Sequence, residues 1–293
     1  MKPGLKEQIP RGTFLFPFQL YENTNPSGSF LTPYHWHSEI ELLYFLRGEV
    51  TLTVNGARYA PQPGDFYFIN SEELHELSSS DRSILYYAYV FPLSFLHFEQ
   101  FDYTQSKYIG RLSKKKLLFP RRLVPKDEAY TCVQNEVEEL IRAQEKQENG
   151  YQLFCKAALY KIIAELLRTD ALLQETKEEG QFSPEKTEHL RRILTYIAAH
   201  FSEKLALTDI ARAFHMTPKY FSKYFKQNFG KTFVDYVNGA RIEKACALLR
   251  ETETPVMEVA FSVGFDNFSY FIKRFKETMG CTPLAYRRLG YTV

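Results

Sequence analysis

Met216-Thr217-Pro218-Lys219-Tyr220-Phe221-Ser222-Lys223-Tyr224-Phe225-Lys226, with Gly230, Thr232 and Tyr236 after it, is the stretch whose reading decides the fold. It returns as Phe265-Asp266-Asn267-Phe268-Ser269-Tyr270-Phe271-Ile272-Lys273-Arg274-Phe275-Lys276, with Gly280, Thr282 and Tyr286 after it. Upstream, Ile210-Ala211 matches Val259-Ala260, so the offset is 49 residues before the turn and 50 after it. Two copies are too few for a solenoid, which needs about three or more to bury a continuous core. The repeated unit is a short helix, a tight turn and a second helix rich in lysine and aromatics.

Each copy has the grammar of a helix-turn-helix. In the first, Thr208 is the expected N-cap of a helix that turns Ile210, Ala211 and Phe214 inward, and the chain turns at His215-Met216. Thr217 then caps a new helix with Pro218 at its first position, where the missing N–H costs nothing. That helix is expected to bury Phe221, Tyr224 and Phe225, leave Lys219, Ser222, Lys223 and Lys226 on the other face, and stop at Gly230. In the second copy Val256, Val259 and Ala260 pack, and Gly264 supplies the left-handed turn. Asn267 or Ser269 caps a helix burying Phe271, Phe275 and Met279, with Lys273, Arg274 and Lys276 outward and Gly280 as the stop. Between the copies, Phe233 to Arg250 is an unbroken helical pattern that spans about 27 Å at the helical rise. A rod of that length can hold two recognition helices roughly one DNA turn apart, about 34 Å.

These residues resemble the AraC/XylS class of bacterial transcription regulators. The likeness covers Leu207 to Arg288 and includes Arg241-Ile242 and Ala245 to Leu249 in the linking helix. It continues through Gly264-Phe265, Phe271, Phe275-Lys276, Gly280, Thr282-Pro283 and Tyr286-Arg287. The resemblance implies double-stranded DNA as a partner, read by Thr217, Lys219, Tyr220, Ser222, Lys223 and Lys226 in the first copy. In the second, the corresponding residues are Asn267, Ser269, Tyr270, Lys273, Arg274 and Lys276. Lysines there mostly grip phosphates, whereas Arg or Lys facing guanine, or Asn facing adenine, reads sequence.

A chain of 293 residues suits two domains, and 44% hydrophobic with 16% aromatic residues supplies real cores. Its net charge of +2 conceals an asymmetry. From residue 184 onward there are 17 Lys/Arg against 11 Asp/Glu; the remainder has 20 against 24. A basic C-terminal module on an acidic body fits a nucleic-acid footprint confined to one end, although that surplus is ordinary taken alone. Cys132, Cys155, Cys246 and Cys281 have no metal-finger spacing and read mainly as small core residues. The N-terminus lacks the apolar run of a signal peptide, and the longest apolar stretch, Ile84 to Phe91, is too short for a bilayer. The expected compartment is the cytoplasm, with no membrane partner.

Along the chain, residues 1–20 read as a Pro- and Gly-interrupted arm in which Phe14, Phe16 and Phe18 alternate like a short strand. It is an edge strand tacked onto the body or, by family resemblance, a ligand-responsive lid. Phe30 to Phe91 reads as short strands and tight turns, among them Asn55-Gly56, a strong type I′ hairpin signal, and Pro63-Gly64-Asp65. The expectation is an all-β cupin-like (jelly-roll) barrel. His35-Trp36-His37, Glu41 and Gly48 have the spacing of the first cupin motif. Pro63-Gly64-Asp65 with His75 loosely resembles the second, its histidine placed in a loop after Asn70. His35 and His37 share one strand face, with Glu41 expected two steps further along it. His75 could close a three-nitrogen, one-oxygen set suited to zinc, nickel, manganese or iron. The same residues equally suit a polar pocket for a small-molecule effector, with Trp36 as a stacking surface, or plain structural hydrogen bonding. No cofactor is required by this reading, and a divalent metal in the barrel is the one candidate; the family suggests a sugar or related catabolite as effector.

The basic run Lys114-Lys115-Lys116 reads as a solvated face. Asp127 to Gln144 is helical, with Tyr130, Val133, Val137 and Leu140 at three-four spacing, close to a heptad seam. That stripe either packs on its own barrel or joins two chains as a homodimer. A second helix runs from Tyr151 to about Leu173, and Glu175 to Ser183 is the linker. The expected plan is a barrel with its arm over 1–125, a helical dimerisation segment over 126–174, a linker over 175–183 and an all-α DNA-binding domain with two helix-turn-helix motifs over 184–293. The function expected is a ligand-responsive transcription regulator and not an enzyme. The competing reading is a metal-dependent cupin isomerase or oxygenase with accessory helices. No second acid/base pair, nucleophile constellation or phosphate loop completes a catalytic site for it.

Overall fold

The structure, a computed structural model, describes residues 12–13, 15–25, 28, 30–100, 102–174 and 183–288. Most of the N-terminal arm, Phe14 included, and the linker apart from Ser183 lie outside the described residues. Two antiparallel sheets form the N-terminal barrel. The strands are β1 (Gln19–Thr24), β2 (Phe30–His35), β3 (Ile40–Arg47), β4 (Thr51–Val54), β5 (Ala57–Tyr59), β6 (Phe66–Ile69), β7 (His75–Ser79) and β8 (Leu85–Phe91). β9 (Leu117–Leu118) and β10 (Arg122–Leu123) follow a short helical stretch that ends in α1 (Gly110–Ser113). One sheet runs β1-β8-β3-β6-β10 and the other β2-β7-β4-β5. The β4–β5 hairpin turns where expected, with both Asn55 (φ 48°) and Gly56 (φ 85°) left-handed as a type I′ turn requires.

Strand alternation divides the apolar residues between two cores. On β3, Leu43 and Phe45 join Tyr67, Ile69, Tyr86, Leu52, Val54 and Leu77 between the sheets. Leu42 and Tyr44 turn outward, with Phe66, Phe68 and Tyr89, onto α2 (Tyr130–Lys146) and α3 (Tyr151–Arg168). The arm differs from its expected strand. Phe16 and Phe18 lie outside any strand and pack on Phe95 at 5.4 and 6.4 Å, while the strand itself starts at Gln19 and pairs with β8.

The heptad-like stripe is consumed within the chain. Tyr130, Val133, Val137 and Leu140 are buried against the outer face of the barrel and α3. Each such side chain gains about 1.5–3 kcal/mol from this burial, and none is left on the surface to meet a second chain. The stripe is therefore not a dimer seam. α3 also ends earlier than its apolar pattern suggests: Asp170 adopts φ 50°, and β11 (Leu173–Gln174) pairs with β9.

The C-terminal module is all helical: α4 (Pro184–His200), α5 (Leu207–Ala213), α6 (Pro218–Phe229), α7 (Phe233–Glu251), α8 (Val256–Ser262), α9 (Phe268–Met279) and α10 (Pro283–Arg288). The caps expected at Thr217 and Asn267 and the stops at Gly230 and Gly280 form, Ser183 and Thr232 add two more caps, and the cap expected at Thr208 does not form. Ser183, Thr217, Thr232 and Asn267 accept hydrogen bonds from the first turns of α4, α6, α7 and α9, and Gly230 and Gly280 close α6 and α9, both at φ 70°. α5 has Ala206 at its N-cap, which offers no side-chain acceptor; Thr208 lies inside the helix, in its first turn. All four cysteines are free, with Cys155 and Cys246 buried. Among the described residues, no helix is long and apolar enough to cross a membrane.

Candidate nucleic-acid interface and effector site

The first recognition helix, α6, is rooted by Phe221, Phe225 and Phe229, which are at most 1% exposed. Spacing of four and three residues puts Lys219, Lys223 and Lys226 on its opposite, exposed face. Tyr220 stands out beside them at 58% exposure, with Ser222 partly covered. In the second helix, α9, Phe271 and Phe275 are fully buried while Ser269, Tyr270, Lys273 and Lys276 are exposed. Two expected contacts are partly spent on the fold. Thr217 Oγ1 accepts the Tyr220 N–H at 3.3 Å, and Asn267 Oδ1 accepts the Tyr270 N–H at 2.8 Å. Arg274 departs further from expectation. Its guanidinium is folded back onto Asp235 of α7 and Glu277, both at 3.1 Å, leaving 25% of the side chain exposed against 72% for Lys273.

α7 joins the two copies rigidly. Its N-terminal Phe233, Tyr236 and Val237 belong to the core of the first copy, and Ile242, Ala245 and Leu249 belong to the second. Arg241 donates to the carbonyls of Phe201 (2.7 Å) and Glu203 (2.9 Å) at the end of α4, while its guanidinium lies 5.5 Å from the Phe265 ring. Gly264 seats the second turn against that same end: at φ 96°, any Cβ there would fall 2.8 Å from backbone atoms of Phe201 and Ser202.

In the barrel, three histidines and one carboxylate converge. His35 and His75 are direct partners across β2 and β7, and their rings lie 4.0 Å apart. His37 follows β2 and its ring is 5.0 Å from that of His75. Glu41 comes from β3 in the opposite sheet, not from the histidine strand, because the chain bends at Ser38-Glu39 before β3 begins. Glu41 Oε2 lies 3.3 Å from His37 Nε2 and 3.1 Å from His75 Nε2. The His75 contact is close but misaligned, so that buried nitrogen makes no well-formed hydrogen bond. His75 opens β7; it is not in a loop. Burial alone would raise the Glu41 carboxyl, but the His37 hydrogen bond and the two imidazoles beside it hold it well below the usual carboxylate range. Burial and the neighbouring His75 and His37 push His35 well below the usual imidazole value.

Trp36 is not a wall of this cluster. Alternation turns it, with Tyr34, away from the histidines and onto the C-terminal module. There Trp36 is 8% exposed with the Arg191 guanidinium 5.9 Å from its ring, and Tyr34 meets the Phe229 ring at 5.4 Å. Tyr236 Oη donates to the Tyr34 carbonyl at 3.0 Å. Lys231 pairs with Glu76 at 2.5 Å, and Arg191 donates to the Glu72 carbonyl. The sequence did not single out Tyr34, Glu76, Arg191, Lys231 or Tyr236 as site residues; alternation around His35 and His75 was the one available signal.

A family profile described as an AraC-like ligand binding domain matches residues 17–163, and one described as a helix-turn-helix domain matches residues 210–289. A Bacillus subtilis protein named as an uncharacterized HTH-type transcriptional regulator, YdeC, is 28% identical over 98% of this chain and 97% of its own length. The regulatory protein PocR of Salmonella typhimurium is 39% identical over 34% of this chain and 33% of its own. Among solved structures, ToxT of Vibrio cholerae O395 aligns over 94% of this chain and 99% of its own at 16% identity, with a TM-score of 0.48. With the ligand-binding profile covering half the chain and the helix-turn-helix profile most of the remainder of its folded mass, the chain belongs to the AraC family of transcription regulators and not to a family of enzymes.

Proposed function

We propose that the protein is a sequence-specific DNA-binding regulator that presents α6 and α9 to successive major-groove segments and takes its signal from the barrel. The observation that carries this reading is the pairing of two exposed lysine faces, Lys219/Lys223/Lys226 and Lys273/Lys276, on helices rooted in one rod. Lysines at such positions supply affinity through phosphates and a steep salt dependence. Tyr220, Ser269, Tyr270 and the free amide donors of Asn267 supply the sequence-reading groups. Selection from a random DNA pool with the full chain tests this: two short conserved blocks about one helical turn apart are expected. A pool without enrichment would overturn it.

For the effector, the histidine and carboxylate end of the barrel is the seat. The family resemblance points to a sugar, but the groups that converge there are three imidazoles and one carboxylate, a set of cation ligands more than of partners for hydroxyls. Trp36, the expected stacking surface, is committed elsewhere. We also read the active species as a homodimer, through α3 and not through the α2 stripe. Leu153 is 73% exposed there, with Phe154 and Ala157 exposed beside it. Light scattering should give twice the 34.3 kDa chain mass, and Leu153→Asp should return it to one chain.

A further inference from the structure

We infer that His35, His37, His75 and Glu41 hold a divalent transition-metal ion, and that its occupancy governs how the barrel grips the first helix-turn-helix. The inference rests on the regulator reading above and gives its barrel site a ligand class. The donor set is the first ground. One ligand atom from each of the three histidines falls within 4.8 Å of the others, and Glu41 faces two of them from the opposite sheet. The hydrogen bonds behind the rings are the second. Each Nδ1 sits by a backbone carbonyl: Pro33 for His35 (2.9 Å), Glu39 for His37 (3.1 Å) and Glu73 for His75 (2.9 Å). A carbonyl only accepts, so each Nδ1 carries a proton, and Nε2 is left as the ring atom through which each histidine can bind a metal. This is the outer-shell arrangement that fixes metal-binding histidines. Nε2 of His37 and of His75 both face the same Glu41 oxygen, at 3.3 and 3.1 Å. A cation between them takes the place of the protons they share and binds all of these groups at once. Three imidazoles and one carboxylate suit zinc best, with iron and nickel also compatible.

The second half follows from alternation. His35 lies between Tyr34 and Trp36, and His75 lies between Leu74 and Glu76. All four neighbours touch the DNA-binding module: Tyr34, Trp36 and Leu74 complete its first core, and Glu76 pairs with Lys231. Drawing the nitrogens to about 2.0–2.1 Å from one ion must tighten β2 against β7. The docking surface is the other face of those same residues. The described arrangement has both the histidines gathered and the module docked, so the ion favours the docked form and, through it, one setting of α6.

Trp36 is the chain's one tryptophan, so its fluorescence reports this surface alone. Full-length protein, stripped with chelator, is titrated with Zn2+ while Trp36 emission and bound metal are followed, with Mg2+ as control. One Zn2+ per chain and a saturable Trp36 change are expected, both lost in a His37→Gln/His75→Gln double variant. Glu41→Gln, close to isosteric, should weaken Zn2+ binding at least tenfold and covers the case in which the double variant fails to fold. Affinity for selected DNA should differ at least fivefold between Zn2+-loaded and stripped protein, a usual allosteric span. Tyr236→Phe, which loses the bond to Tyr34, should bind Zn2+ normally but shrink that difference. No retained Zn2+, equal binding by Glu41→Gln, or a Trp36 change of the same size in the double variant would overturn the metal site. Equal DNA affinity with and without Zn2+ would overturn its control of docking. Metal content and Trp36 emission are read without DNA, so a chain that bound no DNA would count against the regulator reading alone.

Discussion

The two helix-turn-helix copies share a sequence grammar yet are completed by different parts of the molecule. In both, an aromatic ladder backs the recognition helix and a tyrosine fifty residues apart closes it: Phe225 meets Tyr236 at 5.5 Å, and Phe275 meets Tyr286 at 5.6 Å. The hydroxyls of those tyrosines part company. Tyr286 Oη accepts from Arg250, within the module, whereas Tyr236 Oη reaches the barrel at Tyr34. Among the described residues, the second copy's core is closed by α10 and contains only residues of the C-terminal module; the first copy's includes Tyr34, Trp36 and Leu74 of the barrel. The duplicated units thus differ in what completes them: one core closes within the module and the other is closed by the barrel.

The turns differ in the same way, and this gives the largest expected effect. Position 264 is glycine at φ 96° pressed against the end of α4, while its counterpart His215 reaches φ 54° with a full side chain in the open. Gly264→Ala must pay backbone strain and a clash with main-chain atoms, about 3 kcal/mol in all. A marked fall in Tm and loss of specific DNA binding should follow, both measurable on the purified variant. Next come the lysines. Lys223→Ala and Lys273→Ala should each cost about 1–3 kcal/mol if they read a base, and should otherwise lower the salt slope by about 1 with a uniform loss over all sequences. Arg274→Ala should cost less binding than Lys273→Ala, because its guanidinium is already held by Asp235 and Glu277. Competition binding on matched and mismatched sites separates these outcomes.

The tyrosine pair sharpens the comparison at a smaller scale. Tyr236→Phe strands the buried Tyr34 carbonyl and should cost about 1–2 kcal/mol, whereas Tyr286→Phe leaves a partly solvated Arg250 and should cost less than about 1 kcal/mol. Hydrogen exchange should rise in β2 and α6 for the first variant, and near α7 and α10 for the second. His215→Gly should change stability least, within about 1 kcal/mol, because relief of the left-handed conformation offsets the added freedom of the unfolded chain.

Much of this is legible in the sequence. Thr217, Asn267, Gly230 and Gly280 announce their caps and stops through local chemistry, and the Asn55-Gly56 hairpin does the same, because a turn or cap is decided within a few residues. What depends on distant packing was not legible. Nothing local says that the Tyr130–Leu140 stripe is spent on its own barrel, since a seam and a core face share one periodicity. The bend at Ser38-Glu39 that moves Glu41 off the histidine strand carries neither Gly nor Pro to announce it. Trp36 was read as a pocket wall, although the alternation that brings His35 and His37 together necessarily turns it away. The Arg274 ion pair likewise needed α7 beside α9.

The most direct test of the central claim is hydroxyl-radical footprinting of the full chain on DNA selected from a random pool. Two protected patches about one helical turn apart are predicted for each chain bound, with Lys223→Ala weakening one and Lys273→Ala the other. A single patch, or two that both variants weaken equally, would contradict the assignment of one groove segment to each copy.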